Sequence, residues 1–216
     1  PVNLALRNAL TDLSTFHDYD EVQKRFSAEA NVPFKFKDGY YALPETQSYY
    51  MMFYRKDILE ELGISTDDIT TWSSLLQKVL PVLQKNALNI GVPVNINSFL
   101  MFFYQLGGSL YHADLKTSGL GGAEAVQAMQ TYQALYTQYG LQLAFDFANR
   151  FRSGEMPIAI VDYLSYNQLT VFAPEIKGLW GMMPVPGTEQ EDGTVLHMTP
   201  SVVTGAALMA SADNQE

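Results

Sequence analysis

Tyr49-Tyr50-Met51-Met52-Phe53-Tyr54 is an unbroken run of large apolar and aromatic side chains, bounded by Ser48 and Arg55. An extended chain sends successive side chains to opposite faces, so this run is apolar on both faces and needs cover on both. Met156 to Val161 and Gly178 to Val185 have the same character. The pattern predicts that all three strands lie in one mixed sheet flanked by helices, an α/β fold rather than a β-sandwich or closed barrel.

Between these strands the apolar positions recur at helical spacing. Arg55 to Leu62 reads as a helix stopped by Gly63. Thr71 caps a helix carrying Trp72, Leu75, Leu76, Val79 and Leu83, which Pro81 is expected to kink or split. Ser98 is expected to cap Phe99 to Leu106, and Ala123 to Tyr139 is the longest helix, its stripe being Val126, Met129, Tyr132, Tyr136 and Tyr139. Phe145 to Phe151 is a shorter helix, and Ser165 opens another through Phe172. Upstream, Asp18 to Glu21 starts a helix through Phe26, Pro44 ends a strand at Tyr40 to Leu43, and Glu45 to Ser48 reads as a loop. Gly91 to Val94 and Val202 to Met209 are extended, and no internal repeat of about 20–50 residues is present.

Composition narrows the function classes. The 216 residues are 47% hydrophobic, enough for a folded core rather than a disordered chain. A net charge of -10 repels phosphate backbones, so nucleic acid is not an expected partner. The absence of cysteine excludes disulfides, thiolate metal sites and a cysteine nucleophile. No stretch has the length of a membrane span, and Pro1 onward lacks the succession of an export signal. The start at Pro1, next to an apolar run, and the polar stop at Ser211 to Glu216, which reads like the beginning of a helix, suggest a piece of a longer chain.

Few constellations carry chemistry. His17, His112 and His197 lie far apart without metal-ligand spacing, so no metal site is expected. Gly119-Leu120-Gly121-Gly122 precedes a helix, but Glu124 stands where a dinucleotide fingerprint has its third glycine, and no cofactor is expected. Glu45, Glu155 and Asp162 are the candidates for a glycoside-hydrolysing carboxylate pair, the alternative being solvated or hydrogen-bonded acids at strand ends. No serine sits in a nucleophile elbow. The aromatic runs at 49–54 and 99–104 serve the core first, although flat sugar faces also stack on aromatic rings.

Several ordered motifs together resemble the family 1 extracellular solute-binding proteins, the receptors of ABC importers. They are Gly39-Tyr40-Tyr41-Ala42-Leu43-Pro44, Met52 to Ile64 with its Tyr54-Arg55-Lys56-Asp57, Thr71-Trp72, Gly107-Gly108, Phe151 to Ile160, Gly181 to Gly187, and Ser201 to Met209. The likeness covers residues 35–216. It implies an α/β fold of the periplasmic-binding-protein-like type II, with one near-complete lobe and remnants of the other. On that reading residues 1–48 are a remnant of the first lobe with the first crossing strand, 49–196 the second lobe, and 197–216 the return crossing with a further remnant. The resemblance further implies a non-enzymatic receptor at the extracellular face of the cell membrane or in the periplasm, with lipid anchoring as in lipoproteins. Its partners would be a small-molecule ligand, carbohydrate favoured, and ABC permease subunits. The alternative is a carbohydrate-active hydrolase using Asp162 and Glu45. Matched position by position, the family's ligand wall falls on Gln47, Ser48, Asn95, Asn97, Asp162, Tyr163 and Ser201. Many sugar-binding members carry a tryptophan near Leu164, where this sequence offers Tyr163 and Tyr166.

Overall fold

The computed structural model describes residues 2–114 and 116–213. Pro1 and the last three positions of the Ser211 to Glu216 segment lie outside the described residues. The backbone divides into two compact units, residues 1–48 with 201–216, and residues 49–200.

The smaller unit opens with α1 (Val2–Leu6), α2 (Tyr19–Gln23) and α3 (Ala28–Asn31). A hairpin of β1 (Lys35–Phe36) and β2 (Gly39–Tyr40) follows, and β3 (Leu43–Arg55) begins here before running into the larger unit. Asp12 organises the hairpin: its Oδ1 accepts from the Ser14 backbone N at 3.0 Å and from the Tyr40 N at 3.1 Å. Gly39 has to be glycine there, because a Cβ would collide with the Asp12 carboxylate. Tyr19 is buried beside Tyr40 and Asp12, and burial first, then those neighbours, pushes its phenol up to about 12.

In the larger unit the chain runs through α4 (Lys56–Glu61), α5 (Trp72–Ser74), α6 (Leu80–Lys85), β4 (Ile90–Gly91), α7 (Ile96–Gln105) and α8 (Ala123–Thr137). It continues with α9 (Phe147–Ser153), β5 (Ile158–Asp162), α10 (Ser165–Phe172) and β6 (Trp180–Met183). A small hairpin, β7 (Thr188–Glu189) with β8 (Val195–Leu196), completes this unit. Strand β9 (Ser201–Ala206) then belongs to the smaller unit, where Thr204 Oγ1 meets Thr46 Oγ1 at 2.5 Å.

The predicted mixed sheet is present, in the order β4-β5-β3-β6, with β4 parallel to β5 and the other pairs antiparallel. Alternation along β3 sorts the core into two layers. Tyr50 and Met52, with Ile158 and Ile160, pack against Trp72, Leu75, Val79, Leu83 and Phe102 on one face. Phe53, with Ala159 and Val161, packs against Phe147, Phe151, Leu169 and Ile176 on the other. Phe53 is fully buried, and removing a side chain of that size from water contributes roughly 1.5–3 kcal/mol.

Several local expectations are corrected. Pro44 does not end a strand and Glu45 to Ser48 is strand, not loop, because β3 runs through both in its 13 residues and pairs with β9. Pro81 does not interrupt the helical run over residues 72–85. Leu75–Val79 widen into a π turn in which the Leu80 N–H donates to the Leu75 carbonyl, which accommodates a residue that has no N–H of its own. The cap of α7 is Asn95, not Ser98. Of the expected α8 stripe, Tyr132, Tyr136 and Tyr139 do pack against the core, but Val126 and Met129 are exposed and Ala125, Ala128 and Leu135 are buried in their place, small alanines allowing α8 to approach α7 closely.

The Tyr54-Arg55-Lys56-Asp57 motif is a clamp. Buried Arg55 donates to both oxygens of Asp57 (2.9 and 2.6 Å) and to the carbonyls of Phe151 and Arg152 (2.8 and 3.1 Å). It thereby holds the end of β3 to the last turn of α9, where Gly154 adopts a left-handed φ of 88°. A second buried polar centre is Gln105. Its Oε1 accepts from the Trp72 indole at 3.0 Å and Thr188 at 2.8 Å, and its Nε2 donates to the carbonyls of Pro186 and Met198.

Candidate functional site

The larger unit carries an open concavity of about 410 Å³ at the end of β5, lined by Tyr50, Pro93, Asn95, Phe145, Asp162 and Ser165 among others. Tyr50 and Asp162 are register partners across the β3-β5 pair, which places their side chains on the same face. Asn95 arrives from the loop after β4. Its Oδ1 accepts from the Ser98 backbone N at 3.1 Å as the helix cap, and its Nδ2 lies 2.7 Å from the Tyr50 hydroxyl. Three further bonds fix the loop: Ser98 Oγ donates to Pro93 O at 2.6 Å, Tyr136 to Val92 O at 3.0 Å, and Tyr132 to Asn95 O at 3.4 Å.

The groups are held in place before anything binds. Asp162 Oδ1 accepts from the Leu164 backbone N at 2.9 Å, so the carboxylate is oriented by its own chain. Burial first, and the charge of Asp162 more weakly, push the Tyr50 phenol above its ordinary value, partly offset by the bond to Asn95. Tyr50 is therefore a neutral hydroxyl at physiological pH. Among the described residues, no Lys, Arg or His lines this concavity. A carboxylate, an amide and hydroxyls without a cation suit a neutral ligand rich in O–H donors and disfavour an anion.

The other expected site residues fall elsewhere. Asn97 sits half-buried in the first turn of α7 and is not in the lining. Tyr163, the neighbour of Asp162, turns to the opposite side and stacks on Tyr49 (5.6 Å between ring centroids, 13°) and Tyr166 (6.2 Å, 13°). Tyr166 in turn meets Trp180 edge-on at 5.6 Å. Each of the three tyrosines is more than a third exposed, and Tyr163 is flanked by a ring on either side. Within the smaller unit, Gln47 Nε2 donates to Ser201 Oγ at 3.0 Å, and Ser201 Oγ donates to the carbonyl of Ser48 at 3.4 Å. Gln47 and Ser201 are exposed, whereas Ser48 is buried. Tyr50 and Ser165 were not anticipated. The signal for Tyr50 was its place in an aromatic run that serves the core first but can also offer rings to a sugar.

Glu155 and Asp162 do not form a hydrolytic pair. Glu155 precedes β5 and Asp162 ends it, and a five-residue strand spans about 13 Å at roughly 3.3 Å per residue, beyond the roughly 5–9.5 Å that glycoside hydrolysis uses. Glu45 belongs to the other unit. Among the described residues no group of His, Asp and Glu is arranged to hold a metal ion, and no helix is long and apolar enough to cross a membrane.

Comparison with known proteins adds three findings. The family profile described as bacterial extracellular solute-binding protein matches residues 2–216. Binding proteins of Brucella abortus (strain 2308) and Brucella suis biovar 1 (strain 1330) are 25% identical over 196 residues, 85% of this chain and 47% of theirs. The chain thus spans about half the length of the curated relatives it matches. Among solved structures, the GacH receptor of Streptomyces glaucescens GLA.O, studied with acarbose, has a TM-score of 0.78 at 18% identity, covering 99% of this chain and 55% of its own. Maltose-bound T. maritima MalE3 has a TM-score of 0.75 at 21% identity, with 97% and 54% coverage. At these identities the likeness establishes the fold.

Proposed function

Since the chain belongs to the bacterial extracellular solute-binding proteins, with the type II periplasmic-binding fold, we propose that it is the ligand-recognising part of an ABC importer's receptor and that its ligand is a carbohydrate. The meeting of Asn95, Asp162 and Tyr50 around one concavity carries this reading, because that set offers amide and carboxylate partners to hydroxyls and nothing to an anion. The structurally similar proteins bound to maltose, to α-D-tagatose and to acarbose support the ligand class. In this reading the protein performs no chemistry, works at the extracellular face of the membrane or in the periplasm, and hands its ligand to permease subunits. Gln47, Ser48, Tyr163 and Ser201 stand as further proposed ligand contacts, to be tested one by one, whereas Asn97, outside the lining, is proposed to make none.

A titration of isotope-labelled protein with maltotriose and with tagatose, followed by NMR, tests the proposal. A saturable shift of the Asn95 side-chain amide and of the Asp162 backbone amide is expected, with the sugar recovered intact. Shifts confined to other regions would remove the carbohydrate site, and cleaved sugar would restore the hydrolase.

A further inference from the structure

The larger unit has a second concavity, of about 470 Å³, that shares no lining residue with the first. It lies between α10 and β6 and is walled by Tyr166, Leu169, Trp180 and Met182, with Thr170 and Lys177 as its polar side chains. Its size falls within the roughly 300–1,000 Å³ typical of small-molecule sites. Gly178, at a φ of 85°, contributes no side chain to fill it.

Its chemistry differs from that of the Asn95 site. Tyr166 and Trp180 meet at 66° and form an aromatic corner, which the Trp180 contacts with Phe53 and Phe151 hold in place. The Thr170 hydroxyl is engaged, donating to the Tyr166 carbonyl at 2.8 Å. Lys177 is the cation of the lining, and among the described residues it joins no ion pair, while nearby Glu175 is held by Arg152 at 3.3 Å. The indole N–H of Trp180 likewise has no hydrogen-bond partner among the described residues. A sugar would leave most of its hydroxyls against apolar walls, which is costly. A flat apolar ring with one negative charge meets an aromatic corner and an unpaired ammonium instead.

We propose that this concavity binds a small aromatic carboxylate, with its ring against Tyr166 and Trp180 and its carboxylate on Lys177. The proposal goes beyond the receptor reading and stands independently of it.

The two indole N–H signals of the labelled protein provide the test, since Trp72 is buried and bonded to Gln105 while Trp180 lines the concavity. Sodium benzoate is the probe and benzamide its neutral counterpart. Benzoate is expected to move the Trp180 signal saturably and leave Trp72 in place, with benzamide binding at least about fivefold more weakly. Lys177→Gln, an exposed change whose folding the unmoved Trp72 signal reports, should weaken benzoate at least about fivefold and leave benzamide unchanged. An unmoved Trp180 signal, equal binding of the two probes, or undiminished benzoate binding by the variant would each overturn the proposal. A sugar titration that shifts Asn95 but not Trp180 keeps this result separate from the receptor reading.

Discussion

The Asn95 amide has two partners: Oδ1 caps α7 through the Ser98 N–H, and the Tyr50 hydroxyl lies against both amide atoms, 2.9 Å from Oδ1 and 2.7 Å from Nδ2. Helix start and site wall are therefore set by one side chain.

Tyr50→Phe removes the hydroxyl and leaves Nδ2 without that partner. It should cost about 1 kcal/mol by chemical denaturation, and Asn95→Ala about the same through the lost cap. A double-mutant cycle should show coupling of at least about 0.5 kcal/mol. Strict additivity would mean that the pair is not an energetic unit.

Asp162→Ala should weaken sugar binding about tenfold, or about 1.4 kcal/mol, whereas Asn97→Ala should leave it within a factor of about two. NMR titration with maltotriose reads both. Equal losses would show that the concavity at Asp162 is not where the ligand sits.

Arg55→Met leaves Asp57 and the carbonyls of Phe151 and Arg152 without their donor, and should destabilise by roughly 3 kcal/mol. The same clamp sets a pH dependence. Hydrogen bonding from Arg55, first among the causes, holds the Asp57 carboxyl below its ordinary value of 3.8. Its contribution is complete above that value and is lost as pH falls through the lower folded value. Thermal melts from pH 6 down to pH 2 should therefore fall more steeply for the wild type than for Asp57→Asn, and parallel curves would refute the linkage.

Gln105→Leu keeps the volume but strands the Trp72 indole and two carbonyls in a buried place. A loss of about 2–3 kcal/mol is expected. Hydrogen exchange at residues 186–198 should accelerate first, because Gln105 ties that segment to α7.

Gly154→Ala forces a side chain into a left-handed conformation and brings its Cβ to 2.8 Å from Ile58 Cδ1. A destabilisation of about 1–2 kcal/mol follows from the backbone alone. Calorimetry showing no change would mean that this turn relaxes to another conformation.

The strands of the sheet, the helix at Ser165–Phe172 and the stop at Gly63 were legible because each rests on a local property, either side-chain periodicity or a φ open to glycine. The site was legible only in part. Asp162 could be matched to the end of a strand, but Tyr50 was hidden inside a run whose neighbours are core. Asn95 and Asn97 were read as neighbours on one wall, as they would be in an extended chain. Because α7 begins at Ile96, two residues turn about 200° around the helix axis, and only Asn95 lines the concavity. Tyr163 parts from Asp162 for the complementary reason, since consecutive residues at a strand end face opposite sides. Local periodicity thus determined the layers and the core. Which polar groups meet depended on where a helix starts and on partners such as Tyr50 for Asn95 and Trp72 for Gln105, distant in the chain, whose positions exist only once the sheet has brought them together.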